Sequence, residues 1–218
     1  MPGFVVSLEN VWKRLGGKWV LRGVNLTVDR GEGVLILGAN GSGKTTLLRI
    51  TAGLVKPSRG SVRVFDEAPH SRRVRERMGL VPHHNLLYPE LTVRENLEYY
   101  AKLYGLQNYR PEDDEVVVEL GLVRYLDRRV GELSFGWRRR ADIARALMHR
   151  PRLLLIDEPF TGLDDDAQRS LAGLLARLRE EGVSIVATSP SAGVVGLLSG
   201  FRVLRLTEGR LVEAGFRD

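Results

Sequence analysis

The sequence predicts an α/β fold: a largely parallel sheet, an antiparallel β addition near the N-terminus and a helical subdomain inserted in the middle of the chain. Three observations predict it. Short apolar runs bounded by turn residues alternate with helical stretches along most of the 218 residues. A glycine-rich loop, Gly38-Ala39-Asn40-Gly41-Ser42-Gly43-Lys44-Thr45, stands where one such run gives way to a helix. Between about residues 92 and 149 the strand signal disappears and helical periodicity replaces it.

Taken in order, strand-like segments lie at 4–8 and 20–28, the antiparallel pair, and then at 34–37, where Val34-Leu35-Ile36-Leu37 leads into the glycine loop. Thr46-Leu47-Leu48-Arg49-Ile50 follows with helical character. The loop matches G-x-x-x-x-G-K-[ST], in which backbone N–H groups wrap around the phosphates of a nucleotide. Gly38, Asn40, Gly41, Ser42 and Gly43 form its curve, Lys44 brings a positive charge for the β- and γ-phosphates, and Thr45 offers a hydroxyl to Mg²⁺. With Thr46, the helix beginning there points its positive dipole end at the phosphates. Binding of ATP or GTP is therefore expected.

Further strands are expected at 61–65 and 78–81, and Thr92-Val93-Arg94-Glu95 has the form of a capping box opening the helical insertion. All the tyrosines fall between Tyr88 and Tyr125. Helix packing accounts for rings of this kind, and Tyr88, Tyr99, Tyr100 and Tyr104 are also candidates for a docking surface. The next strand, Leu153-Leu154-Leu155-Ile156, is continuously apolar, as a strand buried on both faces should be, and ends in Asp157-Glu158-Pro159. Acids at the carboxyl end of a buried strand point into the crevice where ligands of open α/β sheets bind. Asp157 is expected in the Mg²⁺ shell and Glu158 as general base toward water. Thr161-Gly162-Leu163-Asp164 then turns into a helix whose first residues, Asp165 and Asp166, suit a helix N-terminus. Strands at 183–187, 201–206 and 210–213 complete the pattern.

Composition narrows the possibilities. The formal charge is +6, with arginine far outnumbering lysine. That balance raises nucleic-acid binding, but the basic residues are scattered and lack interleaved aromatics, so a solvated basic surface is the better expectation and no nucleic-acid partner is expected. There is no cysteine, no signal-like N-terminus and no apolar run long enough to span a bilayer. A cytoplasmic location follows as an expectation, with any membrane role exercised through another chain.

The order of these segments resembles the nucleotide-binding subunit of ABC transporters over essentially the entire length. The resemblance rests on the P-loop, Leu80-Val81-Pro82, Leu91-Thr92-Val93-Arg94-Glu95-Asn96-Leu97, Ala144-Arg145-Ala146-Leu147, the strand ending in Asp157-Glu158, and Gly162-Leu163-Asp164. It implies one P-loop NTPase domain of ABC ATPase type over 1–218. Residues 1–82 and 150–218 would form the nucleotide-binding core, and 83–149 the Q-loop, helical subdomain and signature. It also implies MgATP hydrolysis at a head-to-tail dimer interface, with a second copy or a homologous chain as partner and Asp164 in the loop that meets it. A separate transmembrane subunit would be driven from the inner face of the membrane. The compact length and Tyr104-Gly105-Leu106 are similar to exporter subunits, including the haem-exporter type.

This chain also departs from the family pattern. The signature reads Leu133-Ser134-Phe135-Gly136-Trp137 in place of Leu-Ser-Gly-Gly-Gln. Ser134 and Gly136 are the residues that would face the γ-phosphate of the partner's ATP, and Trp137 is expected to pack or stack because it cannot accept a hydrogen bond. Arg138, Arg139 and Arg140 oppose the dipole of the helix that follows, so either a nearby anion or simple solvation should accompany them. His83 stands at the Q-loop glutamine position, where a neutral imidazole would meet Mg²⁺ or its water. Pro190 falls where the switch histidine is expected, with Ser189 and Ser191 as weak substitutes, which implies slow hydrolysis. Leu15 replaces the aromatic that stacks on the base, with Trp12 and Trp19 nearby. Two alternatives stay open: a binding-only or regulatory subunit of a heterodimer, and a soluble ABC ATPase outside transport.

Overall fold

The computed structural model describes residues 4–214, and its order is β1 (Val6–Leu15), β2 (Lys18–Val28), β3 (Gly33–Leu37), α1 (Lys44–Thr51), β4 (Arg59–Val64), α2 (Arg72–Arg75) and β5 (Met78–Val81). The helical stretch follows as α3 (Val93–Leu103), α4 (Glu115–Glu119) and α5 (Phe135–Leu147), with one 3-10 turn between α3 and α4 and two between α4 and α5. Then come β6 (Leu153–Ile156), α6 (Asp165–Glu180), β7 (Ser184–Ser189), β8 (Arg202–Thr207) and β9 (Arg210–Glu213).

Two sheets result. A six-stranded sheet in the order β5-β6-β7-β3-β8-β9 is parallel except for its last pair, and an antiparallel sheet is ordered β2-β1-β4. The central strands β3, β6 and β7 are buried at every residue, and mostly apolar, because both faces are covered. Val34, Ile36, Leu153, Leu155 and Val186 point to the layer containing α1 and the antiparallel sheet. Leu35, Leu37, Leu154, Ile156, Ile185 and Ala187 point to the layer containing α6 and the helical arm. This period of two is what the strand pleat imposes.

β1 is about twice as long as its sequence signal at 4–8, which ended where the alternation ends. Register shifts between Leu8 and Val11, Val11 and Lys13, and Lys13 and Arg14 break the period, and most of the added residues face solvent. β4 joins the antiparallel sheet by pairing with β1, so that sheet draws on more than the N-terminal segment.

The capping box at Thr92 forms in full: its hydroxyl accepts from the Glu95 amide at 3.1 Å and the Glu95 carboxylate accepts from the Thr92 amide at 2.7 Å. Asn96, fully buried, accepts from the Tyr88 amide and donates to the Tyr88 and Thr92 carbonyls, closing the entry to α3. The tyrosines divide between the two expectations. Tyr104 stacks on His149 at 3.9 Å and Tyr100 donates to the Leu86 carbonyl, whereas Tyr88 and Tyr99 are exposed and meet edge to face.

His149 yields a pH prediction. Burial pushes its imidazole down to about 4, opposed by its hydrogen bond to the Met78 carbonyl and helped by nearby Arg145. The unfolded chain takes up this proton below about 6.5 and the folded chain does not, so stability falls as pH drops from 6.5 toward 4. The loss from this group reaches on the order of 3 kcal/mol at the acid end. His149→Phe keeps a ring against Tyr104 and removes the titration; urea unfolding of both proteins across this range should give a shallower slope for the variant.

Candidate functional site

The carboxyl ends of four neighbouring parallel strands carry the site. Strand pairing sets Leu37 of β3 beside Ser189 of β7, Ala187 beside Ile156 of β6, and Ile156 beside Val81 of β5. The segments leaving those ends are therefore brought to one edge: the glycine loop from β3, Asp157-Glu158 from β6, Pro190-Ser191 from β7 and Pro82-His83 from β5.

The loop needs glycine in two places for different reasons. Gly43, at the start of α1, has φ 108°, a left-handed conformation disfavoured for residues with a Cβ. At Gly38 a Cβ would come within 2.6 Å of both the Leu206 carbonyl and the Ser42 hydroxyl. Gly38 donates its amide to the Ser189 carbonyl, and Ser42 donates to Ala39. The amides of Gly41, Gly43, Lys44, Thr45 and Thr46 have no acceptor among the described residues, and the Ser42 hydroxyl is buried without a partner. Donors at a loop and helix N-terminus, without protein acceptors, suit an anion with several oxygens.

Lys44 is 4% exposed and arches back over the loop, donating to the Gly38 carbonyl at 2.7 Å and the Ala39 carbonyl at 3.1 Å. Its ammonium also lies 3.7 Å from Glu158. Asp157, buried at the end of β6, accepts from the Thr45 hydroxyl at 2.7 Å and the Thr188 hydroxyl at 2.5 Å. Thr188 accepts in turn from the Glu158 amide at 3.0 Å. Glu158 has φ 51°, unusual for a residue with a side chain and a mark of strain held by its surroundings. Its Oε2 meets His83 Nδ1 at 3.7 Å, whereas Lys44 meets Oε1.

Other residues named from sequence fall as follows. His83 is half exposed, and its described partners are Glu158 and the neighbouring ring of His84. Ser134 caps the start of α5 by backbone position only; its hydroxyl makes no cap hydrogen bond and it is exposed. Gly136 lies beside Leu163, and the ring of Phe135 covers Gly162. Asp164 accepts from the Ala167 amide at 2.8 Å as the cap of α6. Leu15 is exposed at the end of β1, while Trp12 and Trp19 meet edge to face at 5.4 Å and Arg59 lies over Trp19. The Ser189 hydroxyl donates to the Ser191 carbonyl, and the Ser191 hydroxyl accepts from Gly193, so both are engaged in the turn around Pro190. Trp137 packs between Tyr125 and the guanidinium of Arg140.

The arginine run corrects its expectation. Arg140 donates to the Leu120 carbonyl, and Arg139 is neither solvated nor beside a bonded anion. It is buried, donating to the Pro82 carbonyl at 2.6 Å and to the Asp157 carbonyl. Burial lowers its pKa, with Asp142, Asp157 and Glu158 opposing. Sequence reasoning missed Arg139 and Thr188 as parts of the site. Thr188 had a faint signal, a hydroxyl at the carboxyl end of an otherwise apolar strand; Arg139 had none, because its acceptors are 57 and 18 residues away.

A family profile described as ABC transporter matches residues 21–161. The chain belongs to the ABC transporter family. Among relatives, this ABC subunit is 40% identical to the ABC transporter ATP-binding protein NatA of Bacillus subtilis over 78% of its own length and 71% of NatA. It is 36% identical to the Nod factor export ATP-binding protein I of Burkholderia lata over 99% of its length and 72% of that protein. Its fold superposes on a dimeric, post-hydrolysis ATP-binding cassette bound to ADP and Pi with a TM-score of 0.81 at 29% identity, covering 97% of this chain and all of that one. The α/β ABC ATPase fold read from the sequence is thus the fold observed, and this ABC chain is an ATP-binding subunit and an ATPase of that family. Among the described residues no helix is long and apolar enough to cross a membrane.

Proposed function

We propose that this subunit binds MgATP at the glycine loop, hydrolyses it with Glu158 as general base, and powers a separate membrane subunit. The observation that carries the reading is the convergence of Lys44, Thr45, Asp157 and Glu158 at one sheet edge, beside amides that lack protein acceptors. Lys44, held between loop carbonyls and Glu158, would move its charge onto the β- and γ-phosphates. Glu158, with Lys44 at Oε1 and His83 at Oε2, would accept the proton of the attacking water.

The Thr45 hydroxyl and Asp157 carboxylate are hard oxygen donors already in contact, a pair suited to Mg²⁺. Bound there with ATP, the ion would neutralise phosphate charge. His83 is the weaker metal candidate, since its ring is turned to Glu158 and Mg²⁺ prefers oxygen.

The exposed Ser134, whose hydroxyl its own helix does not use, supports a signature segment that faces a second subunit's ATP with Gly136. In this reading the arm 83–149 carries the Q-loop and signature, Asp164 and Leu15 lie at the rim of the composite site, and 1–82 with 150–218 form the core. Export is the direction favoured by the Nod factor relative; the haem-exporter subtype rests on the sequence resemblance alone. The protein would sit on the cytoplasmic face of the membrane.

Binding without turnover is the second reading, favoured by Pro190 and by serine hydroxyls engaged in their own turn. Steady-state MgATP hydrolysis across protein concentration separates the two. Specific activity that rises with concentration supports a self-sufficient homodimer; tight binding with no turnover at any concentration means that a different chain completes the site.

A further inference from the structure

Arg139 hydrogen-bonds to neither the His83 nor the Glu158 side chain, yet it holds the backbone directly before each. Its Nη1 donates to the Pro82 carbonyl at 2.6 Å and its Nη2 to the Asp157 carbonyl. Those carbonyls belong to the peptide planes whose nitrogens are His83 and Glu158. One planar fork therefore spans the two peptide units directly before the pair that meets at 3.7 Å. On the far side, the Thr188 hydroxyl takes the Glu158 amide at 3.0 Å, so the Asp157–Glu158 peptide plane is gripped at both its oxygen and its nitrogen.

Two further observations give this grip a purpose. Glu158 has φ 51°, which is retained only where neighbouring groups over-determine the backbone. Arg139 is 3% exposed with its Nε lacking any partner, and its burial carries a desolvation cost that the nearby carboxylates of Asp142, Asp157 and Glu158 offset only in part. Packing alone would be served better by an apolar side chain. Arg139 also sits on α5, whose first residue follows Ser134, so the same rigid helix carries the signature and the grip on the base.

We propose that Arg139 is a positioning residue for hydrolysis: it fixes the Pro82 and Asp157 carbonyls so that His83 and Glu158 face each other, and it couples that pair to the signature helix of the same subunit. This inference rests on Glu158 being the general base. A displacement of α5 then shifts the base, making turnover sensitive to the seating of the signature segment while phosphate binding at the glycine loop is not.

The test compares Arg139→Gln and Arg139→Lys with the parent and with Glu158→Gln. It reads kcat, KM, MgATP affinity by equilibrium titration, and melting temperature. Arg139→Gln should lower kcat by about 10- to 100-fold, the scale of a small misplacement of a reacting group, with KM and Kd within about threefold of the parent. Arg139→Lys, which keeps the charge and loses the fork, should recover part of kcat. Added to Glu158→Gln, Arg139→Gln should cause no further loss of residual turnover, because the two act through one group. A kcat equal to the parent's overturns the proposal. So does a loss in which Kd rises in step with the fall of kcat, or a full additional loss in the double variant. If Arg139→Gln does not fold, Arg139→Lys carries the same kcat-against-Kd test. If Glu158→Gln leaves turnover unchanged, the assignment of the base fails, whatever Arg139 does.

Discussion

Lys44→Ala is expected to abolish tight nucleotide binding. The ammonium is the one side-chain cation inside the glycine loop among the described residues, held by the Gly38 and Ala39 carbonyls at 2.7 and 3.1 Å and by Glu158 at 3.7 Å. Its removal takes away the charge-assisted contacts to the phosphates and leaves Glu158 closer to unopposed negative charge. Losing one partner of a buried charged contact costs about 3 kcal/mol or more, which weakens MgATP binding roughly 100-fold or more. The loop fold depends less on Lys44 than on backbone geometry at Gly38 and Gly43, so the variant should fold. Calorimetric titration should read the weakened Kd, and the rise in melting temperature that MgATP gives the parent should vanish in the variant. Parent-like MgATP affinity in Lys44→Ala would remove the glycine loop from the nucleotide site.

The second large effect is expected in Glu158→Gln. The amide has nearly the shape of the carboxylate, and the grip on the backbone from Arg139 and Thr188 does not involve the side chain. Folding and phosphate contacts should survive while the proton acceptor is lost, a change worth about 10²- to 10⁴-fold in turnover for a general base. A carboxylate near a triphosphate also repels it, so the neutral amide should hold ATP at least as tightly. Nucleotide-bound dimers that the parent dissolves by hydrolysis should then accumulate, visible by size-exclusion chromatography with MgATP. Parent-like turnover in Glu158→Gln would rule out Glu158 as the base and turn attention to His83.

Much of this site was legible because its parts are local. The glycine loop, the apolar strand ending in Asp157-Glu158, and the Thr92 capping box are each written in a few consecutive residues whose backbone requirements are short-ranged. Ion pairs and strand lengths were less legible. β1 outran its signal because bulges break the alternation that marks a strand, and β7 runs on to Ser189 through two polar residues that its apolar signal at 183–187 did not include.

The chain order alone settled that this is an α/β nucleotide-binding domain, since hydrophobic period and turn chemistry operate within a few residues of one another. It could not settle what the arginines after Ser134 do. Whether Arg139 meets water, an anion or carbonyl oxygens depends on which distant segment α5 packs against, and that segment, the end of β5 with its following loop, lies 57 residues earlier in the chain. The same holds for Thr188, whose hydroxyl finds Asp157 because β6 and β7 lie side by side. Side-chain chemistry is a property of the residue, but the partner it meets is a property of the packed layers, and the control of Glu158 arises there.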